Sequence, residues 1–162
     1  MKEQVEAIKK KLRNYIYLRF EADNLYERLA RLQSAEQFPS SPDGNSGGGS
    51  SQPNPHRQEN AIIRRIAHEE KMAARIAGIQ AEMDEIDDAV DSLRDPLERE
   101  VLRLRYMDGE NNRHMKWTEV AAQIYGDDDE QHVLAAHRLH GRALVSLVNV
   151  MQETKGEGEK KE

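Results

Sequence analysis

Residues 135–144, AAHRLHGRAL, combine a helical apolar pattern with two arginines one turn apart, Arg138 and Arg142. If the aliphatic residues of this segment face a core, helical spacing places a second stripe on the outward side. That stripe consists of Gln131, Ala135, Arg138 and Arg142. Arginine can pair bidentately with the edge of guanine, and glutamine can pair in the same way with adenine. The chemistry that this stripe offers is therefore contact with base edges in duplex DNA.

Further polar residues extend the candidate contact surface. His132 and His137 flank the stripe, whereas Arg113, Lys116 and Thr118 lie before or at the start of the preceding short helix. These last three residues are predicted to contact backbone phosphates. Two arginines on an exposed helix face are most often only solvated charges, so the pattern alone does not establish DNA binding.

The elements that position these residues are predicted between residues 94 and 151. The segment DPLE at 95–98 marks a helix start, because Asp95 can cap the helix, Pro96 suits its first turn and Glu98 can complete a capping box. One face of this helix is predicted to point inward, with Leu97, Val101 and Leu104. Gly109 is expected to break the helix.

A second and a third helix are predicted after this break. Thr118 can cap the second helix and Gly126 can end it. Ala121 and Ala122 would allow this helix to cross the third closely, while its inward positions are Val120, Ala121 and Ile124. Asp128 or Asp129 can cap the third helix. Its predicted core face consists of Val133, Ala136, Leu139, His140, Ala143, Leu144 and Leu147.

Three segments of this region resemble the helix-turn-helix found in region four of sigma factors. They are LRDPLEREVLRLRYMDG, KWTEVAAQIYG and AAHRLHGRAL, which match the family patterns ReVLrLRY, WeEIAeqLG and rAL. The likeness extends to phage and prophage regulators of Gram-positive bacteria, which often end in yrLHgrAL. The resemblance implies a three-helix DNA-binding unit and a role in transcription. Two segments are longer than the family pattern: Glu110–Lys116, and Asp127–Ala135, whose acidic residues repel phosphate.

Two long helices joined by a linker are predicted before this unit. Residues 1–35 carry a stripe of Val5, Ile8, Leu12, Tyr15, Ala22, Tyr26 and Leu29, interrupted by Arg19. Residues 58–93 carry an unbroken stripe of Met72, Ile76, Ile79, Met83, Ile86, Val90 and Leu93. Residues 36–57 are rich in proline, glycine and serine and are predicted to be disordered, as is the tail at 152–162. We expect an all-α fold: a long antiparallel, coiled-coil-like hairpin followed by a three-helix helix-turn-helix unit. Pairing of the long helices between two chains is the alternative.

Composition and net charge exclude several other classes of protein. The 162 residues include no cysteine, so disulfides, thiolate metal sites and cysteine nucleophiles are absent. The net charge of −6 gives no general attraction to DNA, which leaves only a local basic patch. No signal-peptide-like or membrane-spanning stretch is seen, and we expect a cytoplasmic protein. The step from His132 to His137 puts the histidines His132, His137 and His140 on different helix faces, so no metal is predicted, and we expect no cofactor and no enzyme activity.

Three functions are compatible with these features. The first is a DNA-binding regulator of phage or prophage genes, whose helical arm serves dimerisation or contact with RNA polymerase. The second is a DNA-packaging adaptor that resembles a small terminase subunit. The third is a coiled-coil interaction protein that does not bind DNA.

Overall fold

The computed structural model describes residues 1–37 and 55–158. Most of the predicted linker, at 38–54, and the last four residues of the predicted tail lie outside these ranges. The described ranges contain no β-strand and comprise five α-helices, which confirms the all-α class. The helices are α1 (Lys2–Gln37), α2 (Pro55–Asp91), α3 (Pro96–Leu102), α4 (Trp117–Tyr125) and α5 (Glu130–Gly158). None of these helices is long and apolar enough to cross a membrane.

The described chain divides into two compact units, and the long helices contribute to both. The first unit contains α1 up to Phe20 and the chain from Ala81 onwards, whereas the second contains the described residues between Glu21 and Gln80. The beginning of α1 is therefore grouped with the end of α2, and the end of α1 with the beginning of α2. This is the antiparallel arrangement predicted for the hairpin.

The apolar stripe of α2 is buried as the sequence predicts, from Met72 to Leu93. The stripe of α1 follows the prediction only in part, because Tyr26 is 51% exposed and Leu25, which was not predicted, is half-buried beside the predicted Leu29. A straight helix drifts by about 20° per heptad relative to a strict seven-residue repeat. This drift moves Tyr26 out of the seam and turns Leu25 towards it.

In the first unit, α3 begins as predicted, and two of the three predicted inward residues, Val101 and Leu104, are buried. The Asp95 carboxylate accepts a hydrogen bond from the Leu97 N–H at 2.8 Å and caps the helix. Leu97 itself is 48% exposed, so its predicted inward position is wrong, while Val101 and Leu102 are fully buried. The core face is centred on these two residues, and Leu97 lies at its edge. After Leu102 the chain continues as a π-helical turn, Arg103–Met107.

The start of α4 also differs from the prediction. The helix begins at Trp117, and the Glu119 carboxylate accepts a hydrogen bond from the Lys116 N–H at 3.0 Å. Thr118 is therefore the second helical residue rather than the cap. Ala121 is buried, but Ala122 is exposed, because adjacent helical residues point about 100° apart and only one of them can face the crossing.

The last helix, α5, starts where the sequence predicts and ends later. Asp129 caps it by accepting a hydrogen bond from the His132 N–H at 2.8 Å. The predicted core face is confirmed, with Val133 half-buried and the others fully buried: Ala136, Leu139, His140, Ala143, Leu144 and Leu147. The helix continues to Gly158, past the predicted end at residue 151. This extension of α5 is mostly polar and contains no proline. Within it, the Thr154 hydroxyl donates to the Val150 carbonyl at 2.9 Å.

Candidate nucleic-acid interface

The helices α4 and α5 are joined by a short turn of helix-turn-helix type. Gly126 ends α4 in the left-handed conformation, at φ 75°, and its N–H donates to the Ala122 carbonyl at 2.8 Å. Only three residues, Asp127 to Asp129, separate this glycine from the first residue of α5. Val120 and Ala121 of α4 are fully buried, as are the core residues of α5. A packed first helix and a tight turn thus fix the direction of α5.

The outward face of α5 carries the residues that the sequence assigned to base contacts. Gln131, Arg138 and Arg142 are exposed on one side of the helix, and Ala135 is half-buried at its edge. Neither arginine side chain makes a hydrogen bond or ion pair within the described part of the chain. Both guanidinium groups are therefore available to an external anion or to a base edge.

The two flanking histidines belong to different local structures. The His132 ring bonds to the Asp129 carboxylate and lies 5.7 Å from the Tyr125 ring, so it takes part in the start of α5. His137 is exposed, and its ring lies 4.1 Å from the indole of Trp117 on the flank that faces α4. Of these two histidines, only His137 therefore has its ring next to the outward face of α5.

Trp117 is the centre of a cluster of aromatic and basic side chains. Its indole contacts the rings of His137 and His140, at 4.1 and 4.9 Å between centroids, and the Arg105 guanidinium lies 4.9 Å above it. The Tyr106 hydroxyl lies 2.8 Å from His140 Nε2. The roles of Arg105 and Tyr106 were not predicted, and the only signal in the sequence was their position after an amphipathic helix.

The buried histidine of this cluster is neutral at physiological pH. Burial lowers the pKa of His140 to about 4, and the positive charges of Lys9, His137, Arg105 and Arg13 contribute to the shift. The pKa of His114 is also lowered, chiefly by burial, although a hydrogen bond to the Arg13 carbonyl opposes this. His140 is thus a packed, hydrogen-bonded core residue, as expected from its position.

The predicted phosphate contacts Arg113, Lys116 and Thr118 are all exposed. Arg113 and Lys116 line a cavity of about 720 Å³. Its walls also include the carboxylates of Glu100, Asp108, Glu110 and Glu119. These carboxylates lower the local positive potential around Arg113 and Lys116.

The start of α5 is strongly acidic, with exposed residues at Asp127, Asp128, Asp129 and Glu130. Hydrogen bonds from the His132 backbone N–H and ring lower the pKa of Asp129, which is therefore ionised at neutral pH. Ligand atoms of Asp127, Asp129 and His132 lie within 4.8 Å of one another and are the residues that could hold a cation. They already bond to one another: Asp127 accepts from the Asp129 N–H at 3.1 Å, and Asp129 caps α5.

Comparison of the chain with protein-family models, with curated proteins and with solved structures gives no significant match.

Proposed function

We propose that the chain is a DNA-binding transcriptional regulator that places α5 in the major groove of duplex DNA. The observation that carries this proposal is the pair Arg138 and Arg142, exposed and without a partner in the described part of the chain, on the outward face of a helix that follows a helix-turn-helix turn. Exposed arginines of this kind are the commonest specific readers of guanine. The resemblance to sigma region four supports the same role and suggests phage or prophage genes, transcribed in the cytoplasm.

The spacing of the two arginines suits a groove. Four helical residues advance about 6 Å along the axis, which corresponds to roughly two base steps of 3.4 Å. Because Gln131 lies about two turns before Arg138 on the same face, the three side chains span about 16 Å along the axis, or roughly five base steps. The α1–α2 arm would then serve dimerisation or contact with RNA polymerase.

The acidic start of α5 favours a second candidate, an interaction protein that does not bind DNA. Four carboxylates, Asp127 to Glu130, precede or begin the helix on the exposed side. Like charges repel the phosphates that any duplex would bring close. A basic protein partner would be attracted by the same residues. The two candidates therefore differ in the charge of the partner, which is negative for DNA and positive for the protein.

Salt-dependent DNA titration distinguishes the two candidates. The full chain would be titrated into a labelled duplex of about 30 base pairs and mixed sequence, roughly three helical turns, and followed by fluorescence anisotropy. Each neutralised phosphate contributes about 0.9 to the slope of log affinity against log salt concentration. We expect binding at low salt with a slope that reports at least two phosphates. Absence of salt-dependent binding would contradict the proposal and favour the interaction protein.

A further inference from the structure

Basic side chains from two elements of the first unit contact Trp117, and a third element lies beside them. Arg105, from the π-helical turn, lies over the indole at 4.9 Å, and His137 of α5 stacks on it at 4.1 Å. Arg13 of α1 is joined to the same region through its backbone carbonyl, which lies 3.2 Å from His114 Nε2. The positive charge of Arg13 also acts on Arg105 and His140, so helix α1 adds positive charge to this region, which the sequence pattern did not predict.

This cluster of charges has little internal compensation. The Arg105 guanidinium bonds to the Met115 carbonyl, and neither it nor the Arg13 side chain makes an ion pair within the described residues. Glu6 is nearby, but its carboxylate is paired with Lys9 at 3.0 Å. The groups whose charges act on the central His140 are Lys9, His137, Arg105 and Arg13, and none of them is a carboxylate.

The exposed side of α1 continues the basic surface. Lys10, Arg13 and Tyr17 follow one another at helical spacing and line a shallow depression of about 440 Å³. Tyr17 is 63% exposed. Cationic side chains clustered on one face are a typical surface for a nucleic-acid backbone.

The cluster lies to one side of the proposed groove-facing surface. His137 is displaced by roughly 100° around the α5 axis from Arg138, because consecutive helical residues differ by that angle. A helix that lies in the major groove is bordered by a phosphate backbone on each side. The cations around Trp117 would then face one backbone, while Arg142 lies towards the other side of α5.

We propose that Arg13 and Arg105, together with Lys10, form a clamp for a backbone phosphate of the duplex that receives α5. This inference rests on the proposed DNA-binding function and adds helix α1 to the DNA-binding surface. Arginine suits this role because its guanidinium can donate two parallel hydrogen bonds to phosphate oxygens. Contacts of this type fix the position of a protein on the duplex without reading its sequence.

The test compares Arg13→Gln with Arg28→Gln in the full chain. Both arginines are exposed on α1, and both changes remove one positive charge, but Arg28 lies in the second unit. Because the Arg13 contact to His114 uses the backbone carbonyl, Arg13→Gln leaves that hydrogen bond in place. Affinity for the mixed-sequence duplex would be measured by anisotropy over a range of salt concentrations, with circular dichroism as the check on folding.

We expect Arg13→Gln to weaken binding severalfold for every duplex sequence and to reduce the salt slope by about 1, while Arg28→Gln behaves as wild type. A wild-type chain that binds DNA, with Arg13→Gln unchanged in affinity and slope, would overturn the clamp and leave the proposed function in place. A wild-type chain that does not bind the duplex would overturn both. Equal loss in the two variants would also overturn the clamp, because it would show only an effect of net charge.

Discussion

The hydroxyl of Tyr106 and Nε2 of His140 lie 2.8 Å apart and join the π-helical turn to the middle of α5. Both residues are buried, at 3% and 8% exposure. The neutral imidazole therefore has a defined partner on one side and the Trp117 indole on the other. This pair connects the segment before the helix-turn-helix to the helix that carries Arg138 and Arg142.

The His140 environment predicts acid sensitivity. Its pKa is about 4 in the folded chain and about 6.5 when unfolded, so both states are neutral above pH 6.5. Between pH 6.5 and 4 the unfolded chain binds a proton that the folded chain does not, and the free energy of unfolding falls by roughly 2–3 kcal/mol. Chemical denaturation at several pH values would measure this fall. The double variant His140→Leu with Tyr106→Phe should lose stability less steeply over the same range, and an unchanged slope would contradict the assignment.

Trp117 should stabilise the unit through its three ring contacts. Trp117→Ala removes the surface against which Arg105, His137 and His140 pack, and we expect a loss of about 2–3 kcal/mol in the free energy of unfolding. Tyr17→Ala is the matched control, because that aromatic side chain is 63% exposed and should change stability little. Equal effects in the two variants would show that the Trp117 cluster is not a stabilising contact.

Arg19 is the polar interruption of the α1 stripe, and it connects α1 to the turn after α3. Its guanidinium donates to the carbonyls of Met107 and Gly109, each at 2.6 Å. Arg19→Met should cost about 2 kcal/mol, because two half-buried carbonyls lose charge-assisted partners. Arg28→Met, at an exposed position of the same helix, should have almost no effect on urea denaturation. If Arg19→Met were equally neutral, the two hydrogen bonds would not contribute to stability.

Several features of the fold follow from local patterns in the sequence. The core face of α5 and the α2 stripe follow from apolar residues at helical spacing, so they could be predicted from one chain. The caps at Asp95 and Asp129 and the end of α4 at Gly126 follow from local hydrogen bonding and from glycine's access to positive φ.

The remaining features of the fold depend on contacts between residues that are far apart in the sequence. The bonds of Arg19 to Met107 and Gly109 join positions about ninety residues apart, and no periodicity encodes them. The π-helical turn at Arg103–Met107 departs from the 3.6-residue repeat and was not predicted by the apolar spacing. The position of Arg105 over Trp117 and the contact of the Arg13 carbonyl with His114 likewise require the tertiary fold, whereas the exposed positions of Arg138 and Arg142 follow from spacing within α5 alone.

Removing acidic residues at the start of α5 should change DNA affinity in the opposite direction to removing an arginine. Asp128→Asn with Glu130→Gln should raise DNA affinity severalfold at low salt, because two exposed charges that repel phosphate are removed. Asp129 is left unchanged because it caps the helix. The control is Asp23→Asn with Glu70→Gln, which removes the same charge from exposed positions of the second unit. Lower affinity, or the same gain in the control, would contradict a duplex near the start of α5.

The central claim is that the outward face of α5 contacts duplex DNA, and the double variant Arg138→Ala with Arg142→Ala tests it most directly. Its matched control is Arg28→Ala with Arg64→Ala, two exposed arginines of the second unit. Anisotropy titration with the labelled duplex should show roughly tenfold or greater loss of affinity in the α5 variant. Helicity and melting temperature should be nearly unchanged in both variants, since all four side chains are exposed. Undiminished DNA affinity in the folded α5 variant, or an equal loss in the control, would contradict the claim.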